Sequence, residues 1–146
     1  MLAAQAVVQL IIAVVTVILI FAVSIAAFGA PAPKSLAGLM VSVAVSMAGL
    51  FAIGLLIAAV ARTSTAANVV GRVVFFPLMF FAGLWLPRAL MPPVLLDISN
   101  YTPLGAAVQA MQASVQTGFP PAEPLLVLAA YALVFGYLAR RFFRWE

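Results

Sequence analysis

The first charged residue of this chain is Lys34, and the stretch from Val7 to Phe28 is uncharged and predominantly apolar. About 20 consecutive apolar residues are enough for a helix to cross the hydrocarbon core of a bilayer. A signal peptide would begin with basic residues and have a shorter apolar core of about 7–15 residues. We therefore expect a retained membrane-spanning helix at the start of the chain.

The composition extends this expectation to the whole chain. Hydrophobic residues make up 67% of the sequence and charged residues only 7%, whereas soluble domains have roughly 25% charged residues. The net charge of +4 comes from few, scattered basic residues, which does not indicate nucleic-acid binding. A membrane protein gains such an excess by placing Lys and Arg on its cytoplasmic side. The composition predicts an integral membrane protein with membrane lipids around it.

Four segments are apolar and long enough to span a bilayer. The predicted spans cover about residues 5–28, 36–61, 66–86 and 121–139. The third contains Arg72 near its start, where the side chain can reach the headgroups. It also contains Pro77, which removes a backbone hydrogen bond and predicts a kink. The expected fold is all-α, a polytopic membrane protein whose single transmembrane domain covers residues 1–146.

Small residues recur along the second predicted span. They follow a four-residue spacing at Gly38, Ser42, Ser46, Gly54 and Ala58, interrupted once. Small residues let the backbones of two membrane helices approach closely. The pattern predicts a packing face rather than a ligand site.

The connection between the third and fourth spans carries its own helix signals. Pro92 can open a short helix, and Thr102 followed by Pro103 has the residue types of an N-cap and a first helical position. From Leu104 onward, apolar residues fall on one face, while three glutamines lie on a flank away from it. We expect a re-entrant or amphipathic helical hairpin over about residues 92–117. An amphipathic helix lying on the bilayer, without a role in transport, is the alternative.

The charges predict an orientation. One side of the predicted topology holds Arg62, Arg72, Arg140, Arg141 and Arg144, and the other holds Lys34 and Arg88. By the positive-inside rule, both chain ends lie in the cytoplasm and the hairpin lies on the outer face.

The sequence lacks the residues of common catalytic chemistry. It has no Cys, no His, no phosphate-binding GxxxxGK[ST] loop and only three acidic residues. We therefore expect no catalytic, cofactor or metal site, and a chain that is not itself an enzyme. No acidic residue lies near the middle of a span, which argues against an ion-coupled exchanger.

The order of several short motifs resembles one known family. A span ends in Phe76-Pro77 and continues to Gly83-Leu84-Trp85-Leu86-Pro87, then Met91-Pro92, and a Thr102-Pro103-Leu104 turn opens an amphipathic helix. This order is similar to that of the C-terminal half of ABC-2 type transporter permeases, in particular bacterial drug- and daunorubicin-export permeases. Those permeases have six spans. The resemblance implies that this chain supplies the third to sixth, as a fragment, a half-subunit or a short permease.

The resemblance also implies a mechanism. Two permease subunits, in a homo- or heterodimer, would work with a separate ATP-binding subunit in a bacterial inner membrane and export a hydrophobic drug- or lipid-like substrate. The implied substrate path uses Phe76, Pro77, Phe80, Gly83 and Trp85, and the implied outer hairpin uses Pro92, Pro103 and Leu104. Aromatic residues that simply face lipid are the alternative for the path. A non-transporting membrane anchor or assembly subunit is the alternative for the whole chain.

Overall fold

The structure is a computed structural model that describes residues 2–29, 31–61 and 63–142, with side chains from residue 7 onward. All regular elements in these residues are helical. The α-helices are α1 (Leu2–Phe28), α2 (Leu36–Val60), α3 (Ser64–Phe81), α4 (Pro93–Tyr101), α5 (Pro103–Gln116) and α6 (Ala122–Phe142), with a 3-10 turn at Arg88–Leu90 before α4. The predicted all-α fold is confirmed.

Four of the helices, α1, α2, α3 and α6, are long and apolar enough to cross a membrane. At 1.5 Å per residue, they measure from about 27 Å for α3 to about 40 Å for α1, against a hydrocarbon core of about 30 Å. The predicted set of four membrane helices is therefore confirmed. Entry of the α4–α5 hairpin into the bilayer stays a prediction.

The starts of three helices follow from side-chain caps. The hydroxyl oxygens of Ser35, Thr63 and Thr102 accept hydrogen bonds from backbone N–H groups in the first turns of α2, α3 and α5. Such caps satisfy donors that a helix start leaves unpaired. At Thr102 the cap is the one that the sequence predicts.

The packed core lies between α2, α5 and α6. Leu128 of α6 is fully buried against Ala106 and Ala107 of α5. On α2, the backbone at Gly49 approaches so closely that an added Cβ would lie 3.1 Å from the carbonyl oxygen of Leu128. Small residues thus bring three helices together, as is usual inside membrane proteins.

Helices α1 and α3 lie outside this core. The structure describes no buried residue in α3 and none in α1 from Val7 onward. Their side chains are apolar and exposed over most of their length, so in a membrane these faces contact lipid or another subunit.

The α4–α5 hairpin lies at the end of the bundle where α2 and α6 begin and α3 ends. The backbone N–H groups of Lys34 and Ser35 donate hydrogen bonds to the carbonyl oxygens of Val115 and Ser114 at the end of α5. Arg140 and Arg141 lie in the last turn of α6, at the opposite end. Arg62 and Arg144, two of the charges used for the predicted orientation, lie outside the described residues.

Candidate functional site

The aromatic residues of the predicted path lie on the outside of this chain. Phe76 and Trp85 are 63% and 66% exposed, and their ring centroids are 5.7 Å apart. Phe80 packs its ring edge-on against Phe81, and Pro77 is exposed. The structure brings Phe76 and Trp85 together, but they form a surface, not a channel enclosed within the chain.

Helix α3 ends in a glycine-dependent cap. Gly83 has a positive φ of 92°, a conformation that side-chain-bearing residues rarely adopt. Its N–H donates to the carbonyl oxygen of Phe80, and the N–H of Leu84 donates to that of Met79. This pair of bonds is the Schellman motif, which turns the chain away from the helix axis. For this reason α3 ends at Phe81, whereas the predicted span continued to residue 86.

Arg88 is the centre of a polar network beneath this turn. Its Nη1 donates to Ser99 Oγ at 2.7 Å and to the Gly105 carbonyl oxygen at 3.2 Å, and its Nη2 donates to Asn100 Oδ1. The guanidinium lies at the end of α4, where the helix dipole favours a cation. Desolvation by burial lowers the pKa of Arg88 below its usual value. The side chain nonetheless stays charged, because an arginine cannot be deprotonated in proteins.

Ser99 extends the network to the last turn of α3. Its side chain is fully buried, accepts the bond from Arg88 and donates to the carbonyl oxygen of Phe81. Gly105 makes room for this arrangement, since an added Cβ would lie 2.0 Å from the Ser99 carbonyl oxygen and 2.7 Å from Thr102 Oγ1. The network therefore joins α3, α4 and α5 through one arginine and one serine.

A cleft of about 560 Å³ opens beside this network. It is lined by Ala82, Gly83, Pro87, Arg88, Ala89, Leu96, Asn100, Gln109, Gln112 and Gln116. The three glutamines share one face of α5 because they follow a three- and four-residue spacing. Gln109 Oε1 is buried and has no hydrogen-bond partner among the described residues. We call this cavity the outer cleft, after the face on which the charge pattern of the sequence predicts the hairpin to lie.

The predicted hairpin residues lie at the starts of α4 and α5, outside the lining of the outer cleft. Pro92 is the exposed residue that precedes α4. Pro103 is the first residue of α5 and is buried, and Leu104 is half-buried. Of the predicted site residues, Gly83 alone lines the cleft.

A second groove lies between α2 and α3. It has a volume of about 360 Å³, and its lining includes Gly54, Asn68, Gly71 and Arg72. No atom lies within 4 Å of a Cβ added at Gly54. The lower part of the small-residue stripe of α2 is therefore open, whereas Gly38 at its upper part contacts Pro120.

Comparison with known proteins decides the family. Residues 1–115 match the family model described as ABC-2 type transporter, which covers well over half of the chain. This chain belongs to the ABC-2 type transporter family. No curated protein and no solved structure matches it.

The ABC-2 match extends from α1 through all of α5 except its last residue. The predicted family is confirmed, and the exposed aromatic surface and the lining of the outer cleft, except Gln116, belong to the matched part. Within this ABC-2 chain, the described residues contain no group of three or more His, Cys, Asp or Glu side chains that would hold a metal ion.

Sequence reasoning missed the centre of the ABC-2 chain's polar network. Arg88 entered the prediction only as one charge on the outer side, and Gly105 only as one position of the amphipathic helix that follows Thr102-Pro103. Ser99 did not enter at all. The spacing of Ser99 and Gly105 carries no periodic signal. An arginine directly after a Pro-rich helix end, followed by a Ser-Asn pair near a helix C-terminus, is the one local hint that the sequence contains.

Proposed function

We propose that this chain is the permease subunit of an ATP-binding-cassette exporter. It moves a hydrophobic drug- or lipid-like substrate out of the cytoplasm, using ATP hydrolysed by a separate subunit. The observation that carries the proposal is the ABC-2 family match over residues 1–115, on a chain with four helices of membrane-spanning length.

The exposed helices support a second permease subunit. Neither α1 beyond Val7 nor α3 has a residue buried within the chain. The surface formed by Phe76 and Trp85 is open on one side, so a substrate path along it needs a second wall. A second permease subunit facing α3 supplies that wall, in a homo- or heterodimer.

The ends of the bundle support an orientation. Arg140 and Arg141 lie at the end opposite the hairpin, which by the positive-inside rule is the cytoplasmic end. In this arrangement the α2–α3 connection and the C-terminus face the ATP-binding subunit in a bacterial inner membrane. The outer cleft and the α4–α5 hairpin then lie at the exit side.

Co-purification tests the partner. The tagged chain is expressed with its neighbouring genes and extracted in mild detergent, and bound proteins are identified by mass spectrometry. Recovery of an ATP-binding subunit in stoichiometric amount supports the proposal. Recovery of the chain without any ATP-binding protein contradicts it and favours a membrane anchor.

Transport in inverted vesicles tests the activity. Vesicles that contain the chain and its ATP-binding subunit are compared with vesicles in which the phosphate-loop lysine of that subunit is replaced by alanine. ATP-dependent uptake of a fluorescent apolar cation or of a labelled lipid, present only with the intact ATP-binding subunit, is the expected result. Equal signals from the two preparations would show that the chain does not transport these substrates.

A further inference from the structure

The outer cleft has the chemistry of a ligand site that neither the family match nor the proposed transport mechanism requires. We propose that it binds a phosphodiester that carries free hydroxyl groups, of the phosphoglycerol class. This chemistry occurs in the headgroup of an anionic bilayer lipid and in soluble glycerol phosphodiesters.

The charge of the cleft favours an anion. Arg88 is its one ionisable lining residue, and none of the lining residues is acidic. An arginine has five N–H donors, of which three are used by Ser99, Asn100 and the Gly105 carbonyl. The remaining donors suit a phosphate oxygen, which guanidinium groups bind with strong charge-assisted bonds. A cationic headgroup would meet no counter-charge in this lining.

The hydroxyl requirement comes from Gln109. Its Oε1 atom is buried and accepts no hydrogen bond from the described residues, although buried polar atoms are usually paired. A phosphodiester alone supplies only acceptors and leaves this oxygen unpaired. A hydroxyl group next to the phosphate supplies the missing donor, so the two features together select a hydroxylated phosphodiester.

The shape of the cleft fits a headgroup that enters from the surface. Its volume of about 560 Å³ lies within the range of about 300–1,000 Å³ that small-molecule sites occupy. Gln112 and Gln116 are exposed at its mouth, whereas Arg88 and Gln109 are half-buried. Gly83 in its wall brings bare backbone to the cavity.

An apolar surface adjoins the polar cavity. Leu84 and Trp85 follow Gly83 directly and are exposed. Tryptophan favours the level of the lipid headgroups, and a neighbouring leucine offers contact to an acyl chain. A lipid with its headgroup in the cleft can thus lay its tail along this surface, which a soluble ligand would leave unused.

A comparison of three lipids tests both the proposed preference for an anion and the proposed requirement for a hydroxyl group. The purified chain in detergent is titrated with phosphatidylglycerol, phosphatidylmethanol and phosphatidylethanolamine, and bound lipid is counted by native mass spectrometry. Phosphatidylmethanol has the charge but no hydroxyl groups. We expect phosphatidylglycerol to bind about 3- to 10-fold more tightly than phosphatidylmethanol, as one added hydrogen bond implies, and phosphatidylethanolamine to bind most weakly. Equal binding of all three lipids overturns the proposal.

A variant locates the site. Gln109→Met removes the unpaired amide at similar size, and Asn68→Leu removes an amide from the separate α2–α3 groove. In Gln109→Met the preference for phosphatidylglycerol over phosphatidylmethanol should vanish, while in Asn68→Leu it should stay. Thermal unfolding confirms that each variant is folded. A preference that survives in folded Gln109→Met contradicts the proposal.

Competition by a soluble phosphodiester shows whether the cleft binds the lipid headgroup or a soluble glycerol phosphodiester. Glycerophosphoglycerol is added to the chain carrying bound phosphatidylglycerol. Displacement at similar concentrations assigns the cleft to the soluble compound, and retention of the lipid assigns it to the bilayer. These measurements need neither ATP nor transport, so they do not depend on the proposed exporter function.

Discussion

The hydroxyl oxygens of Ser42 in α2 and Ser114 in α5 lie 3.1 Å apart in the core, although the two serines are 72 positions apart in the sequence. Each hydroxyl is also 2.8 Å from a carbonyl oxygen of its own helix, at Gly38 and Ala110 respectively. The two hydroxyl groups therefore have two protons for three oxygen–oxygen contacts. Because either serine can be the donor to the other, the pair fixes the register of α5 against α2 without fixing the direction of the bond.

A double-mutant cycle of Ser42→Ala and Ser114→Ala should show a small favourable coupling. Double-mutant cycles inside membrane proteins average about 0.6 kcal/mol for such hydrogen bonds, and each single variant leaves the other serine with its carbonyl partner. The free energy of unfolding is measured in mixed micelles for each of the four proteins of the cycle.

Ser46→Ala is the matched control for this cycle. Ser46 is equally buried on α2, but its hydroxyl has no partner among the described residues. Replacing an unpaired buried hydroxyl should leave stability unchanged or raise it. A coupling of zero between Ser42 and Ser114, or a loss in Ser46→Ala as large as in Ser42→Ala, would contradict the assigned contact.

Gly105→Ala should destabilise the hairpin strongly. The added Cβ would lie 2.0 Å from the Ser99 carbonyl oxygen, so α4 and α5 must move apart. Overpacking of this kind costs about 1–3 kcal/mol or more. Gly136→Ala is the control, because no atom lies within 4 Å of its added Cβ and alanine favours a helix interior. The melting temperature should be lower for Gly105→Ala than for Gly136→Ala. Equal melting temperatures would argue against the close approach of Gly105 to the Ser99 carbonyl oxygen.

Arg88→Lys should loosen the hairpin although the charge is kept. A lysine ammonium lacks the planar fork that reaches Ser99, Asn100 and the Gly105 carbonyl together. We expect a loss of about 1–3 kcal/mol and faster amide hydrogen exchange in α4 and at the start of α5. Arg72→Lys is the control, since the structure describes no side-chain hydrogen bond for Arg72. Unchanged exchange in Arg88→Lys would show that the network does not hold the hairpin.

The sequence predicted those parts of the fold that depend on local chemistry. Uncharged, predominantly apolar stretches as long as Val7–Phe28 are typical of membrane-spanning helices. The Thr102-Pro103 pair predicted the start of α5 because an N-cap hydroxyl and a proline without an N–H group each suit a helix start. The family resemblance was readable from the order of Pro77, Gly83 and Pro92, although no single motif was specific.

The sequence could not predict features that depend on distant contacts. Residues 84–86 are as apolar as the helix before them, so hydropathy did not show that Gly83 caps α3 and turns the chain. Gly38 and Gly54 occupy equivalent places in one spacing pattern, yet Gly38 contacts Pro120 and Gly54 faces an open groove. The network of Arg88 forms only when three helix ends meet.

Pro77→Ala should impair export while sparing insertion, if α3 acts as a moving wall of the substrate path. Alanine restores an N–H donor for the Val73 carbonyl and favours a helix interior by about 3 kcal/mol over proline, which stiffens α3. We expect export to fall about tenfold, equivalent to about 1.4 kcal/mol of barrier. Initial rates of ATP-dependent uptake in inverted vesicles, divided by the amount of inserted protein, measure the effect.

Gly83→Leu tests the same segment at its other end. Leucine cannot easily adopt a φ of 92°, and its Cβ would lie 3.0 Å from Arg88 Cγ. The cap of α3 should therefore rearrange and export should fall at least as far as in Pro77→Ala. Gly71→Ala, on the same helix with open space around its added Cβ, should export normally. Both Pro77 and Gly83 shape the surface that carries Phe76 and Trp85. Normal export by both variants would therefore show that this surface is not part of the substrate path.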